Sequence, residues 1–369
     1  MTNQGFCIKH PLVSAHLDLS PCPTPAWLPD RQSQTLFGAL LAPTNRIRFF
    51  RERVETPDGD FIDFDWNSPL LPRAPKQARD ATLIQTAATD WLEDSGRQAL
   101  GLAQASPALV LLHGLEGSSK SRYAQSITQY FRQAGWTVVV AHFRGCSGFA
   151  NRLARAYHSG DSAEIRFILQ TVRARLPAGH WHAAGISLGG NALLKYLGES
   201  PAEVAWLKAA AAISAPLDLV AAGNHLSDDR FNREIYSRHF LRTLRPKVLK
   251  KAQRFPGVID TLRIHQARTL RDFDNAYTAP MHGFADALDY WTQSSSMRWL
   301  THIRIPTLVL NARNDPFLPQ AALPGPQLGS AQIEFHQPAQ GGHVGFVTGG
   351  WPGHLGWLPR RIERFFTAR

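Results

Sequence analysis

The chain has 369 residues, enough to bury a large core as one α/β unit carrying an insertion. Lys+Arg 40 against Asp+Glu 29 leaves a formal net charge of +11, which favours anionic surfaces or acidic ligands and says nothing of fold. The basic residues are scattered and no zinc-finger, OB or RRM pattern occurs, which argues against nucleic-acid binding.

Cys7, Cys22 and Cys146 are too few and too irregularly spaced for a disulfide scaffold or a Cys-rich metal site. Residues 1–10 lack the apolar stretch of a signal peptide, and no run approaches the length of a membrane span. The expectation is a soluble, cytoplasmic protein.

In chain order, residues 1–46 are rich in proline and polar residues and are expected to wrap the surface of the main domain. Arg48–Arg51 and Phe61–Trp66 bracket Pro57-Asp58-Gly59-Asp60, the pattern of an antiparallel hairpin. From Pro69 to Pro107 the composition is loop-like, with one helix expected over 87–100. Short apolar runs at 108–112, 137–141 and 209–214 read as buried parallel strands. Helices are expected over 122–134 and 162–176, and Asp161 or Ser162 is placed to cap the second.

Residues 218–298 break this rhythm with polar and aromatic helical stretches, and strands resume at 306–311 and 331–335 before a last helix at 358–366. The expected organisation is a mostly parallel sheet flanked by helices, built from 47–217 and 299–369, with 218–298 as a helical cap.

The chain is organised around Gly185-Ile186-Ser187-Leu188-Gly189, which follows an apolar run and precedes the helix-capable Ala192–Leu197. G-x-S-x-G in a strand–turn–helix context holds a serine hydroxyl clear of its neighbours, and the glycines let strand and helix approach. A serine there could also merely cap the helix. A nucleophilic serine needs a base. His343, between Gly341-Gly342 and Gly345 just past the last strand, is the candidate among fifteen histidines. Asp315, after the strand at 306–311, is the candidate to orient it, although Asp before Pro316 is also a common turn former.

The order Ser187, Asp315, His343 is that of the α/β-hydrolases. An oxyanion hole would draw one N–H from Leu188 and one from Leu115 in the loop after the strand at 108–112. His113 and Glu116 are expected to structure that loop, and Cys146 to be a small buried residue shaping its own. His113, His142 and His158 show no ligand spacing, so no metal and no cofactor is expected.

The stretches His113–Ser118, Arg144–Gly148, Tyr157–Gly160, Gly185–Asn191 with Leu193–Glu199, Asp315–Phe317 and Gly341–Phe346 together resemble the YheT-like branch of the α/β-hydrolases. These are bacterial relatives of the mammalian ABHD1/ABHD2/ABHD3 group, and the resemblance spans roughly residues 20–369. It implies an α/β-hydrolase fold, a triad at Ser187, Asp315 and His343, and kinship with esterases and lipases. The chain departs from the pattern with Gln32 where the family often has His, Asn314 where it often has Asp, and a longer 69–107 connection.

The expected activity is cleavage of a carboxylic ester with an apolar acyl group. Thioesterase, acyltransferase or peptidase chemistry, and a non-catalytic binding role, are the alternatives. The expected partners are a small or lipid-like ester and, through the net charge, transient contact with an anionic membrane surface.

Overall fold

The computed structural model describes residues 14–71, 89–101 and 106–368. Its strands, in chain order, are β1 (His16–Asp18), β2 (Phe49–Glu55), β3 (Phe61–Asn67), β4 (Thr89–Trp91), β5 (Pro107–Leu112), β6 (Thr137–Ala141), β7 (His180–Ile186), β8 (Ala209–Ile213), β9 (Thr307–Leu310) and β10 (Ile333–His336). They form one sheet in the order β1-β10-β9-β8-β7-β5-β6-β3-β2-β4. From β1 to β6 every pairing is parallel, and β3 reverses direction against both β6 and β2. The hairpin turns as expected at Asp58-Gly59, where Gly59 holds φ +82°.

Period-two side-chain alternation sorts the central strands into two cores. Leu109, Leu111, Val138 and Val140 face the side covered by α3 (Arg122–Gln133) and the C-terminal helix Trp357–Thr367. Val110, Leu112, Val139 and Ala141 face the side of α4 (Ser162–Arg175) and α5 (Leu188–Glu199). α3 buries Ala124, Ile127 and Phe131 along one stripe, the helical counterpart of that alternation. On the opposite face Trp66 and Trp181, both fully buried, meet edge-on with ring centroids 6.4 Å apart. Asp161 caps α4 by accepting from the Glu164 N–H.

The chain moves outward in one direction after β5 and in the other after β7, so the carboxyl ends of these neighbours flank a switch point where open parallel sheets bind ligands.

Three expectations change. Residues 16–18 are an edge strand rather than a surface wrap; three residues of mixed exposure carry no periodic signal. The helix expected over 87–100 begins outside the described residues and is otherwise strand β4 followed by α2 (Asp94–Gly101), because Thr89–Trp91 pairs with β2. The strandless stretch after β8 opens with α6 (Leu219–Asp228), and its helical turns run on to His302, past the expected end at 298; the inserted cap occupies 230–302. The N-terminal helix α1 (Arg31–Leu40), begun by an Asp30 capping box, packs beside α3.

The cap has its own small core of Leu241, Leu244, Val248, Ile264, Phe273 and Tyr277, which sits on Leu115 and Ala156 of the main domain. Asn191 of α5 anchors its return: the amide donates to the Ser294 carbonyl at 2.8 Å and accepts from the Ser296 N–H at 3.0 Å. Two turns further on, α5 touches the cap exit at Gly198, where a Cβ would lie 2.4 Å from the Trp299 carbonyl oxygen. Gly198→Ala, which in an exposed helix would be stabilising, is therefore expected to lower unfolding stability by about 1–3 kcal/mol through overpacking. A urea midpoint equal to or above wild type would refute that.

Candidate active site

β7 enters and α5 leaves a turn whose single residue, Ser187, holds φ +51° and ψ −118°. This strained conformation persists because the surroundings leave little choice. A Cβ on Gly185 would lie 2.4 Å from the Gly189 carbonyl oxygen, and one on Gly189 2.5 Å from that of His113. The Ser187 N–H donates to the Ile213 carbonyl at 2.8 Å, while its own carbonyl accepts from Gly190 and Asn191. Ser187 makes no side-chain cap bond to α5. Its Oγ lies 3.0 Å from His343 Nε2.

His343 Nδ1 in turn lies 2.9 Å from Asp315 Oδ2. With the carboxylate accepting at Nδ1, the ring carries its proton there and leaves Nε2 facing the hydroxyl. Asp315 is buried after β9, and its other oxygen accepts from the Phe317 N–H at 2.8 Å. The Phe317 ring stacks on the imidazole at 3.9 Å between centroids. The structure thus brings the three expected side chains into one line.

What holds the histidine loop was not visible in the sequence as function. Gln34 of α1, buried, accepts at Oε1 from the Gly341 N–H at 3.0 Å and from Asn314 Nδ2 at 2.9 Å. Its Nε2 donates to Gln340 Oε1 at 2.8 Å. Thr35 Oγ1 accepts from the His343 N–H at 2.9 Å, and Ser214 Oγ, past β8, from the Val344 N–H at 3.0 Å. Helix and loop backbones approach so closely that a Cβ on Gly38 would sit 2.7 Å from Gly345 Cα. Gln34 and Thr35 lie just past Gln32, where the family often has His, and nothing in the linear pattern ties them to the loop at 341–345. Gln32 itself bonds the hydroxyl of Tyr236, on the cap.

On the other side of Ser187, Leu115 stands in the loop after β5, and Leu188 is the first residue of α5, where an N–H has no carbonyl within the helix to meet. Both border the cavity beside Ser187. Glu116 holds φ +57°, its N–H donating to the Tyr157 hydroxyl at 2.9 Å and its carboxylate pairing with Lys247 of the cap at 2.8 Å.

His113 is a brace, as expected: Nδ1 donates to the Gly114 carbonyl and Nε2 accepts from the Phe143 N–H. Burial pushes its pKa down to about 3, so it stays neutral. Beneath the loop, Asp65 accepts from Ser119, His142 and both arms of Arg51. Burial opposes the charge of Asp65, but His142 and the Arg51 guanidinium hold its carboxyl well below the usual range. Cys146 is free and buried at the cavity wall, as is Cys22 elsewhere; Cys7 lies outside the described residues.

Ser187 opens into a cavity of ≈ 480 Å³ between main domain and cap. Its lining is mainly apolar, with Leu219, Leu226, Phe240, Leu244, Phe273 and Trp291 prominent. Of the aromatic residues of the insert, Phe240, Phe273, Tyr277, Tyr290 and Trp291 reach it, while Phe231, Tyr236 and Phe284 do not. Farther along the wall, Asp274 accepts from Trp291 Nε1 at 2.9 Å, and burial pushes its carboxyl up to about 6.

The α/β hydrolase fold family model matches residues 107–350. The chain is 34% identical to YheT of Escherichia coli K12, named as a candidate esterase, over 91% of this chain and 89% of that one. It is 28% identical to the mouse phospholipase ABHD3 over 93% of this chain and 77% of that one. The Pyrococcus furiosus esterase Pf2001 superposes with TM-score 0.51 at 11% identity over 89% of this chain and 98% of that one, a likeness of fold.

Gln34→Ala leaves the Gly341 N–H and the Asn314 and Gln340 amides short of partners. The expected cost is about 1–3 kcal/mol of unfolding stability, with amide exchange rising at 341–343 more than in β5. Unchanged protection of that loop would show that the Gln34 contacts do not hold it.

Proposed function

Because the chain belongs to the α/β-hydrolase family, in the branch that contains YheT and the ABHD3 phospholipases, we propose that it is a serine hydrolase cleaving carboxylic esters with an apolar acyl group. The observation that carries this is the run Ser187 Oγ–His343 Nε2–Asp315 at 3.0 and 2.9 Å, opening on a mainly apolar cavity.

In this reading His343 Nε2 takes the Ser187 proton as Oγ attacks the acyl carbonyl. The N–H groups of Leu115 and Leu188 receive the oxyanion. The imidazolium, held by Asp315 and stacked against Phe317, then protonates the alcohol as the C–O bond breaks. Water, deprotonated by the same nitrogen, attacks the acyl-enzyme, and Ser187 regains its proton as the acid leaves. Desolvation by the cap strengthens each of these interactions. The mammalian relatives are named phospholipases, which supports a lipid-like ester as substrate.

Ser187→Ala is expected to abolish labelling by a fluorophosphonate and nearly all turnover of p-nitrophenyl esters; wild-type labelling would end the assignment. His343→Ala, folded, is expected to lose roughly four or more orders of magnitude in kcat, and activity within tenfold of wild type would remove its role as base.

The cavity lining predicts that kcat/KM rises with acyl length until the space is full, by at most about fourfold per methylene. Phe240→Ala is expected to shift that preference towards longer chains. An identical profile from acetyl to dodecanoyl esters would show that Phe240 does not select the acyl group.

A further inference from the structure

Outside the catalytic cavity, the cap carries a surface cleft lined by Arg233, Arg238, Arg242, Arg245 and Arg268 together with Glu234 and Asp272. Helix Arg238–Arg254 places Arg238, Arg242 and Arg245 on one face, at positions one and two turns apart. Five guanidinium groups against two carboxylates leave the cleft a net positive charge, although Glu234 pairs with two of them. Asp272 accepts from the backbone N–H groups of Arg268 and Thr269, and Glu234 stands 3.5 and 3.7 Å from Arg233 and Arg238. Arg245 is committed to the Ala267 carbonyl, whereas the Arg238 side chain is 66% exposed.

Beside this cationic cleft, Phe231 and Ile235 point outward at 45% and 39% exposure. Cationic and bulky apolar side chains exposed on adjoining helical turns form a surface suited to the headgroup–acyl boundary of an anionic bilayer. The same turn faces the site on its inner side. Tyr236 packs edge-on against Phe317 at 4.6 Å, and Phe317 is the ring stacked on His343.

We propose that this face of the cap, with Phe231, Ile235, Arg238 and Arg242 at its centre, docks the protein on anionic lipid surfaces and so meets an apolar substrate where it resides. The proposal builds on the ester-hydrolase reading by naming the surface from which such a substrate comes.

The test is co-sedimentation of the full chain with vesicles of phosphatidylcholine, with and without a third of phosphatidylglycerol, at low and high salt. Wild type is expected to bind the anionic vesicles, less so at high salt. The double variant Arg238→Gln/Arg242→Gln is expected to lose about thirtyfold in partitioning. Ile235→Ser should weaken binding at both salt concentrations. Turnover of soluble p-nitrophenyl acetate by the arginine variant should stay at the wild-type rate.

Equal partitioning of wild type and variants would overturn the proposal. So would arginine-dependent binding of inorganic pyrophosphate, measured by calorimetry, without vesicle binding, which would make the cleft a site for soluble phosphates. Should wild type hydrolyse no ester at all, the functional reading fails while the vesicle result still decides the docking surface.

Discussion

The structure depends on backbone strain held at one place. Among the described residues, the non-glycine positions with positive φ are Glu116, Ser187, Ser214, Val344 and Phe346. Each lies just past the carboxyl end of β5, β7 or β8, or in the loop that carries His343. Each such residue costs about 1–3 kcal/mol, so the fold maintains them only by over-determining them from outside. Glycines 185 and 189 admit the backbone contacts, the Val344 N–H donates to the hydroxyl of Ser214, tying two strained residues to each other, and the Glu116 N–H donates to the hydroxyl of buried Tyr157. The central strands β5 to β9 are mainly buried and apolar, and supply the rigidity against which the strain is held.

Two elements outside the sheet complete the arrangement from opposite sides. α1 clamps the histidine loop through Gln34 and Thr35, while the cap presses on the Leu115 loop through its own core and the Lys247–Glu116 pair. Single hydrogen bonds of this kind contribute about 0.5–1.5 kcal/mol each. Their value lies in orientation: an imidazole poised at 3.0 Å from a hydroxyl is useful only while its ring plane is fixed. Tyr236 bridges the two sides, bonding Gln32 on α1's first turn and packing on Phe317 under the histidine.

The parallel core was legible because its strands are short, continuous apolar runs between amphipathic helices. Ser187, Asp315 and His343 stood out because their positions follow strand ends, which chain order alone reveals. Gln34 escaped notice because a polar residue in a short helix announces nothing about a loop reached some three hundred residues later. β1 was illegible for a related reason: His16–Asp18 becomes a strand through its partner β10, not through any pattern of its own. The split of 87–100 into strand and helix likewise reflects pairing with β2 overriding local propensity. Tertiary contacts decided each of these, and a linear pattern does not contain them.

The distance along the chain between α1 and its loop also has a consequence in time. Gln34 and Gly341 are separated by 307 residues. At synthesis rates of about 5–20 residues per second, the helix waits roughly a quarter of a minute to a minute before its counterpart leaves the ribosome. Leu28 and Phe37, which finally pack with Val347 and Leu355, have no such neighbours to cover them in that interval. Helix α1 is thus made early and seated late. A nascent chain whose strands β5 to β8 have already emerged still lacks the loop at 341–345, so the contact of His343 with Ser187 forms only after that loop has left the ribosome.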